Sequence, residues 1–340
     1  MDNLELKRRL LELHDRIRER TRSALRRGSL AAGGDPADSE AKVVEEGVSD
    51  VSYGIDVPAE EEIDRFGREF GKVQPLVIVS EGSGLQRYGK KPAPGDEVLR
   101  IIIDPIDGTR NLANDMRSAW ILTGVARDRG ERTSTRDIFL ALQSEIPQRD
   151  RRSYHLLGAT RGEGAFCELR DLASHGQVFR RELRPSCNSR LDNGFYVFFK
   201  FSPEDRVALA QIEESFLRRV VQEHGVDRRT LCDDQYISNG GQLFLMMTQR
   251  YRFLCDLRGR IGDLLGVENF TSHPYDVCCS LIAEEAGIPV TDADGGPLDV
   301  PLDAAHRVSF VAYANQALRE VLEPILQDVL RNYQQSIRRG

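Results

Sequence analysis

The sequence of 340 residues predicts an α+β fold made of two unlike halves. In residues 1–185, apolar or alternating segments follow one another with short connections, which is typical of a mainly antiparallel sheet. In residues 186–340, strand-like and helical segments alternate, which indicates an α/β arrangement. Hydrophobic residues make up 40% of the chain, enough for a substantial core. We therefore expect an N-terminal α+β half and a C-terminal α/β half.

The first half is expected to begin with helices. Apolar residues recur at helical spacing among charges over residues 4–26, and Pro58 opens a second helix that runs to about residue 70. Segments rich in Gly and Pro predict loops at 28–36 and 82–96. The strands of this half are predicted at 76–79, 98–103, 118–126, 137–146, 154–159 and 177–184.

The second half is expected to contain both kinds of element throughout. Strands are predicted at 195–199, 252–257 and 307–313. Helices are predicted near 203–224, 240–251, 274–286 and 315–333, and the third of these begins at a proline and ends at a glycine.

Composition excludes several classes of function. The formal net charge of -7 argues against a general nucleic-acid partner. No uncharged apolar run is long enough to cross a bilayer, so no membrane partner is expected. Residues 1–27 are dense in charge and lack the apolar region of a secretion signal, which predicts a cytoplasmic protein. The six cysteines form no CxxC pair, which favours reduced thiols over a zinc site.

The segment DPIDGTRN, residues 104–111, carries the clearest chemistry. An apolar strand runs directly into Asp104, and carboxylates resist burial unless they are paired or bind a metal. A bend after the strand would let Asp107 share a cation with Asp104, with the carbonyl of Ile106 directed to the same place. Hard cations such as Mg²⁺ prefer such oxygen ligands. The alternative is an ordinary Asp-Pro surface turn.

The residues after Asp107 suit an anion. Gly108 permits a tight turn, and Thr109 can begin a helix whose free backbone N–H groups would face a phosphate.

Two further acids occupy positions where a second metal would need them. Glu81 follows the apolar segment 76–79, so an adjacent parallel strand would bring it beside Asp104. Asp276 lies in the first turn of the helix predicted at 274–286, where an acid also stabilises the helix dipole without binding anything.

Two segments resemble the signature motifs of the inositol monophosphatase family of lithium-sensitive, magnesium-dependent phosphatases. They are residues 104–111 and residues 275–299, which read YDVCCSLIAEEAGIPVTDADGGPLD and follow in the family's order. The resemblance spans residues 40–330. It implies a layered α/β/α/β/α sandwich, a small phosphorylated substrate and a homodimer.

The resemblance also implies roles for single residues. The family's metal ligands match Glu81, Asp104, the Ile106 carbonyl, Asp107 and Asp276, which would hold two or three Mg²⁺ ions. Thr109 matches the threonine that, together with the glutamate, orients the attacking water, so that no phosphoenzyme forms. The segment from Asp50 to Asp56 resembles one in which the second acid helps to hold a weakly bound metal, and Lys42 resembles a lysine that precedes it.

The substrate is the open part of this interpretation. Gly108, Thr109 and Asp276 would contact its phosphate and leaving group, and Ser238 and Asp256 occupy positions that resemble substrate contacts. Inositol monophosphate is the first expectation. The alternatives are fructose 1,6-bisphosphate and a 3'(2'),5'-bisphosphate nucleotide, whose second phosphate needs cations such as Arg180, Arg181, Arg184 and Arg190.

Departures from the family pattern leave another class open. The family usually has paired glutamates where this chain has Glu81 alone, and extra residues occur near 200–235 and 258–272. A metal-binding family member without catalytic activity is therefore a further alternative.

Overall fold

The computed structural model describes residues 2–31, 43–46 and 51–338, with the side chains of 2–26 and 54–338. The helices of this part are α1 (Asn3–Ala31), α2 (Val57–Phe70), α3 (Thr109–Ala113), α4 (Arg206–His224), α5 (Asn239–Met247), α6 (Arg258–Leu265), α7 (Pro274–Val277), α8 (Ser280–Glu285) and α9 (Gln316–Ile337). Its strands are β1 (Val43–Glu46), β2 (Val51–Tyr53), β3 (Leu76–Ser80), β4 (Gly84–Tyr88), β5 (Leu99–Asp107), β6 (Ala119–Arg127), β7 (Ile138–Ile146), β8 (Ser153–Thr160), β9 (Ala165–Asp171), β10 (Gln177–Glu182), β11 (Gly194–Phe198), β12 (Leu231–Asp233), β13 (Tyr251–Asp256), β14 (Val290–Asp292) and β15 (Phe310–Tyr313).

The first large sheet has eight strands in the order β10-β9-β8-β7-β6-β5-β3-β4. Its strands pair antiparallel except for β3 and β5, which run parallel in a register that places Ser80 opposite Ile103. The second sheet has five strands in the order β12-β11-β13-β15-β14, with β11 parallel to both of its neighbours and β15 antiparallel to both of its own. The predicted α+β fold class is confirmed.

Helices separate and cover the two sheets. Helices α1 and α2 pack against one face of the first sheet, and α5, α7 and α8 pack against its strands from the other side. Helix α5 also contacts β13, while α9 packs on β15 and on α4. The layers therefore run α/β/α/β/α, as the sequence predicts.

The packing of the core explains why the residues of β5 before Asp104 are mostly apolar. Ile101 and Ile103 belong to the cluster beneath α1 and α2, whereas Ile102 belongs to the cluster that extends to the second sheet. Both faces of β5 are therefore buried, as expected for a strand covered by helices on each side. Because one cluster joins residues of both sheets, the division at residue 185 stays a prediction.

Several element predictions are wrong, for physical reasons. Helix α1 continues to Ala31, so the loop predicted at 28–36 does not begin at residue 28; residues 32–36, Lys42 and Asp50 lie outside the described residues. Strand β4 lies within the loop predicted at 82–96, because an exposed edge strand shows no apolar alternation. The helix predicted at 274–286 is divided into α7 and α8. At that division the Cys278 backbone approaches β6, where a Cβ on Gly124 would lie 2.9 Å from its carbonyl oxygen.

Other short elements lack a clear sequence signal. Strands β1, β2, β9 and β12 and helix α6 are present without having been predicted.

Candidate metal centre

A bulge near the end of β5 brings two acids to one side of the strand. Asp104 pairs with Leu122 and Asp107 pairs with Trp120, so three steps along β5 correspond to two steps along β6. In a regular strand, residues three apart face opposite ways; the extra residue of a bulge restores a common side. The Asp104 carboxylate accepts a 2.9 Å hydrogen bond from the Ile106 backbone N–H, which fixes the bent segment between the acids.

The third member of the acidic cluster comes from α7. Asp104, Asp107 and Asp276 each offer a carboxylate oxygen within 4.8 Å of the others. Asp276 also accepts a 2.7 Å hydrogen bond from the backbone N–H of His273, the residue that caps α7. The helix-capping interpretation and the metal-site interpretation are thus compatible, because a carboxylate has two oxygens.

Glu81 reaches the same cavity from β3. Since Ser80 lies opposite Ile103 on the parallel strand β5, the next residues, Glu81 and Asp104, lie at the same level of the two strands. Both line one polar cavity together with Asp107 and Asp276. The adjacent parallel strands account for this convergence.

Glu60 on α2 holds the turn that carries Glu81. Its carboxylate accepts hydrogen bonds from the Ser80 hydroxyl (2.9 Å), the Gly82 backbone N–H (3.1 Å) and the Ser83 hydroxyl (2.7 Å). Sequence reasoning missed Glu60, because an acid in the first turn of a helix is ordinarily explained by its favourable interaction with the helix dipole.

Asp107 lies against the beginning of α5. It accepts hydrogen bonds from the Ser238 hydroxyl (2.7 Å) and from the backbone N–H groups of Asn239 (3.1 Å) and Gly240 (2.6 Å). Burial raises the pKa of Asp107 to about 6, although the hydrogen bond from Ser238 opposes this. These three hydrogen bonds occupy three of the roughly four lone-pair positions of the Asp107 carboxylate, which leaves about one for a further ligand.

The turn after Asp107 depends on Gly108. This glycine has φ +96°, and a Cβ there would lie 3.0 Å from the Ser238 Cβ. Thr109 then begins α3, and its hydroxyl lies 2.8 Å from the Ile106 carbonyl oxygen and 3.1 Å from an Asp56 carboxylate oxygen. Asp56 is therefore adjacent to Thr109, at the edge of the centre.

The two residues proposed as substrate contacts have different positions. Ser238 lines the cavity, but its hydroxyl donates to Asp107 and accepts from the Gly241 backbone N–H at 2.9 Å. Asp256 is fully buried and does not line the cavity; both of its oxygens accept hydrogen bonds from Arg258, at 2.9 and 2.7 Å. The structure brings Arg258, rather than Asp256, to the cavity wall.

Arginines and phenylalanines form the wall opposite the acids. The Arg258 guanidinium lies 4.5 Å from the ring centre of Phe201, and the Arg110 guanidinium lies 4.4 Å from that of Phe270; all four residues line the cavity. Sequence reasoning missed them, although Arg110 directly follows Thr109 and Arg258 follows the strand end at Asp256. Phe270 lies in the extra segment 258–272, which therefore contributes to the site.

The four arginines proposed to bind a second phosphate do not line this cavity. Arg180 pairs with Glu168 at 2.9 Å, Arg184 with Glu182 at 2.9 Å and Arg190 with Asp192 at 2.7 Å. Arg181 lies on the exposed strand β10.

The donor set fits a hard divalent cation. Asp104 and Asp107 are buried, Asp276 is half-buried, and all the candidate donors are oxygen atoms. The enclosed space is small, about 50 Å³, and the cavity wall combines carboxylates with arginines. These residues could hold one or more Mg²⁺ ions beside a phosphate group.

Comparison with known proteins relates the chain to inositol monophosphatases and fructose-1,6-bisphosphatases. No family model matches the chain. A curated relative from Methanothermobacter thermautotrophicus, named fructose-1,6-bisphosphatase/inositol-1-monophosphatase, is 24% identical over 278 residues, which cover 80% of this chain and 82% of the relative. The resemblance seen in the two sequence motifs is confirmed by this relative.

Solved structures show the same fold over nearly the whole chain. Leishmania major fructose-1,6-bisphosphatase superposes with a TM-score of 0.64 at 13% identity, covering 95% of this chain and 94% of that one. The MJ0109 gene product, described as an inositol monophosphatase-fructose 1,6-bisphosphatase, gives 0.62 at 17% identity and covers 97% and 100%. Mycobacterium tuberculosis SuhB gives 0.58 at 16% identity and covers 96% and 98%.

Proposed function

We propose that the protein is a magnesium-dependent phosphatase that hydrolyses a small phosphate monoester directly, without a phosphoenzyme. The observation that carries the proposal is the convergence of Asp104, Asp107 and Asp276 with Glu81 and Thr109 around one cavity. Mg²⁺ bound by these carboxylates would neutralise phosphate charge and acidify a water molecule, the usual contribution of clustered metals to phosphoryl transfer.

The side chains divide the remaining work. Glu81, at the half-exposed end of β3, is placed to accept a proton from the attacking water, and Glu60 fixes the turn that carries it. The Thr109 hydroxyl has one proton to donate to Ile106 or Asp56, so its lone pairs can accept a hydrogen bond from the same water. Asp276, from α7, would face the departing oxygen.

For the substrate, inositol monophosphate remains the first candidate, and the curated relative bears both activity names. A specific observation favours a second candidate, a sugar or nucleotide bisphosphate. Arg110 and Arg258 line the cavity wall, and arginine is suited to a second phosphate group. Arg258 is only 2% exposed and is paired with Asp256, so Arg110 is the better placed of the two.

A phosphate-release panel tests both candidates and the non-catalytic alternative. Inositol monophosphate, fructose 1,6-bisphosphate and a 3',5'-bisphosphate nucleotide are each incubated with the protein, with and without Mg²⁺. Release that requires Mg²⁺ and is lost in Asp104→Asn supports the phosphatase, because the amide removes a charged ligand of similar size. If no phosphate is released from any of the three substrates, the result supports the alternative of a metal-binding protein without catalytic activity.

The Arg110→Ala variant separates the two kinds of substrate. If Arg110 binds a second phosphate, KM for a bisphosphate should rise about tenfold or more, whereas KM for inositol monophosphate should change little. An equal change for both substrates would remove Arg110 from substrate selection.

We also infer a cytoplasmic homodimer that is sensitive to lithium, from the cysteine pattern, which favours reduced thiols, and from the resemblance to the family. Among the described residues, no helix has the length and apolar character to span a membrane. Light scattering on the purified chain measures the oligomeric state, and lithium titration of the phosphatase assay measures the sensitivity.

A further inference from the structure

A second cavity lies between the later part of α1 and residues 147–152, the connection from β7 to β8. Its volume is about 760 Å³, within the usual range of small-molecule sites. It shares no lining residue with the metal centre. Six arginines line this arginine cleft, against three carboxylates: Arg18, Arg22, Arg26, Arg149, Arg151 and Arg152, with Glu19, Asp150 and Asp171.

Two of the arginines form a fixed floor. Arg18 is 1% exposed, lies 3.7 Å from the ring centre of Tyr154 and donates a 2.8 Å hydrogen bond to the Glu145 carbonyl. Arg22 is also buried and donates hydrogen bonds to the carbonyls of Pro147 (2.5 Å) and Gln148 (2.8 Å). The connection from β7 to β8 is therefore tied to α1.

Further hydrogen bonds hold the same connection from other sides. Asp115 accepts from the Arg149 backbone N–H at 3.1 Å, and its own carbonyl accepts from the Gln148 side chain at 2.9 Å. The Leu172 backbone N–H donates to the Arg152 carbonyl at 2.9 Å. A cleft that is ordered in advance binds a ligand at a smaller entropic cost.

The rim of the cleft carries unbalanced positive charge. No carboxylate of the described residues forms a salt bridge with Arg26, Arg151 or Arg152. Two of the three acids that line the cleft have other partners: Glu19 lies 3.3 Å from the His175 ring, and Asp171 accepts from the backbone N–H groups of the turn that follows it.

Repulsion among the guanidinium groups of the cleft also indicates excess positive charge. Burial is the main reason that the pKa of Arg22 lies below its usual value; the charges of Arg26 and Arg18 add to the effect, and those of Asp115 and Asp150 oppose it. An anion placed among these guanidinium groups would relieve the repulsion.

We propose that the arginine cleft binds a small anion with two or more linked phosphate groups. The guanidinium group is planar and offers paired donors that match phosphate oxygens. Several arginines facing one cavity of this size suit a compact ligand that carries several negative charges. The proposal is independent of the activity at the metal centre.

Titration calorimetry on the full chain in EDTA, at about 0.15 M salt, tests the proposal with tripolyphosphate and ATP as separate probes. We expect saturable binding of at least one probe, retained in Asp104→Asn and weakened at least tenfold in Arg151→Ala/Arg152→Ala. The Arg151 carbonyl accepts a hydrogen bond from Arg22, and the Arg152 carbonyl accepts one from the Leu172 N–H. Both contacts use backbone atoms, so the truncations leave them in place. Similar affinities for tripolyphosphate and ATP would show that the phosphate groups are what the cleft recognises. Tighter binding of ATP would show that the nucleoside also makes contacts.

The matched control is Arg87→Ala/Arg132→Ala, which removes two exposed arginines outside the cleft. If the control variant bound the probes as weakly as Arg151→Ala/Arg152→Ala, the loss of affinity would reflect the change in net charge alone, and the proposal would be overturned. An absence of saturable binding for both probes, or binding that disappears in Asp104→Asn, would also overturn it.

Discussion

Asp104 and Asp107 lie on the same side of β5 although they are three positions apart, because the bulge opposite β6 contains one extra residue. Without it, one of the two carboxylates would face α1 and α2 on the other side of the sheet. The bulge therefore converts a buried strand end into part of a metal centre. Gly108 completes the change of direction, since only a residue that tolerates a positive φ can follow Asp107 here.

The first prediction concerns Gly108→Ala. Alanine at φ +96° is strained by about 1–2 kcal/mol, and its Cβ would lie 3.0 Å from that of Ser238. We expect a loss of unfolding free energy of at least this size, together with weaker Mg²⁺-dependent activity, because Ser238 would be pushed away from Asp107. Urea unfolding and phosphate release measure the two effects.

Gly130→Ala is the matched control for this prediction. Gly130 also has a positive φ, +66°, but a Cβ there meets no atom within 4 Å. This variant should show the strain without the loss of activity. If both variants lost activity equally, the contact with Ser238 would not matter.

The second prediction assigns Glu60 a positioning role. In Glu60→Gln, one carboxylate oxygen becomes an NH₂ group, which cannot accept a hydrogen bond. Either the bond from the Gly82 N–H, which Oε1 accepts, or the bonds from the Ser80 and Ser83 hydroxyls, which Oε2 accepts, are then lost. We expect kcat to fall about 10- to 100-fold, the usual effect of losing a group that orients a metal ligand. Raised Mg²⁺ should restore part of the rate, because the Glu81 carboxylate is retained.

The neighbouring residue provides the control. Glu61 is exposed on the same helix, so Glu61→Gln should leave both kcat and the Mg²⁺ dependence unchanged. Equal effects of the two substitutions would show that charge on α2, and not the turn at Glu81, controls the rate.

The sequence predicts those parts of the fold and site that depend on local patterns. The apolar run before Asp104 indicates a strand buried on both faces, and the structure has one there. The bulge has no such signal, because the one-residue mismatch exists only relative to β6. Glu60 and Arg258 were missed for a related reason: their partners, Ser83 and Phe201, are distant in sequence and come near only when the layers pack.

The third prediction concerns the buried pair of Asp256 and Arg258. Arg258→Met should destabilise the protein by about 3–5 kcal/mol, since it leaves the fully buried Asp256 carboxylate without its cation. The double variant Asp256→Asn/Arg258→Met should recover part of this loss. Chemical denaturation of the four proteins of the cycle measures the coupling.

An exposed pair with the same sequence separation is available for comparison. Arg190 and Asp192 form a salt bridge at 2.7 Å, with the arginine side chain 57% exposed. Arg190→Met should cost less than about 1 kcal/mol. A loss of similar size for Arg258→Met would contradict the importance of burial.

The last prediction concerns His14, which is fully buried on α1 with its Nε2 atom 2.8 Å from the Thr123 hydroxyl. Burial, with a smaller contribution from Arg18, lowers the pKa of His14 to about 3. An unfolded histidine has a pKa of about 6.5. Between these values the unfolded chain binds the proton and the folded chain does not, so stability should fall as the pH drops from 6.5 toward 3.

His14→Gln should remove this contribution, because glutamine does not titrate and retains a side-chain amide for Thr123. Relative to the variant, the wild-type protein should lose about 2 kcal/mol of unfolding free energy between pH 7 and pH 5. Urea unfolding of both proteins at the two pH values measures the difference, and His224→Gln, at an exposed position, controls for a change of histidine elsewhere. A difference between wild type and His14→Gln that does not vary with pH would show that protonation of His14 is not linked to folding.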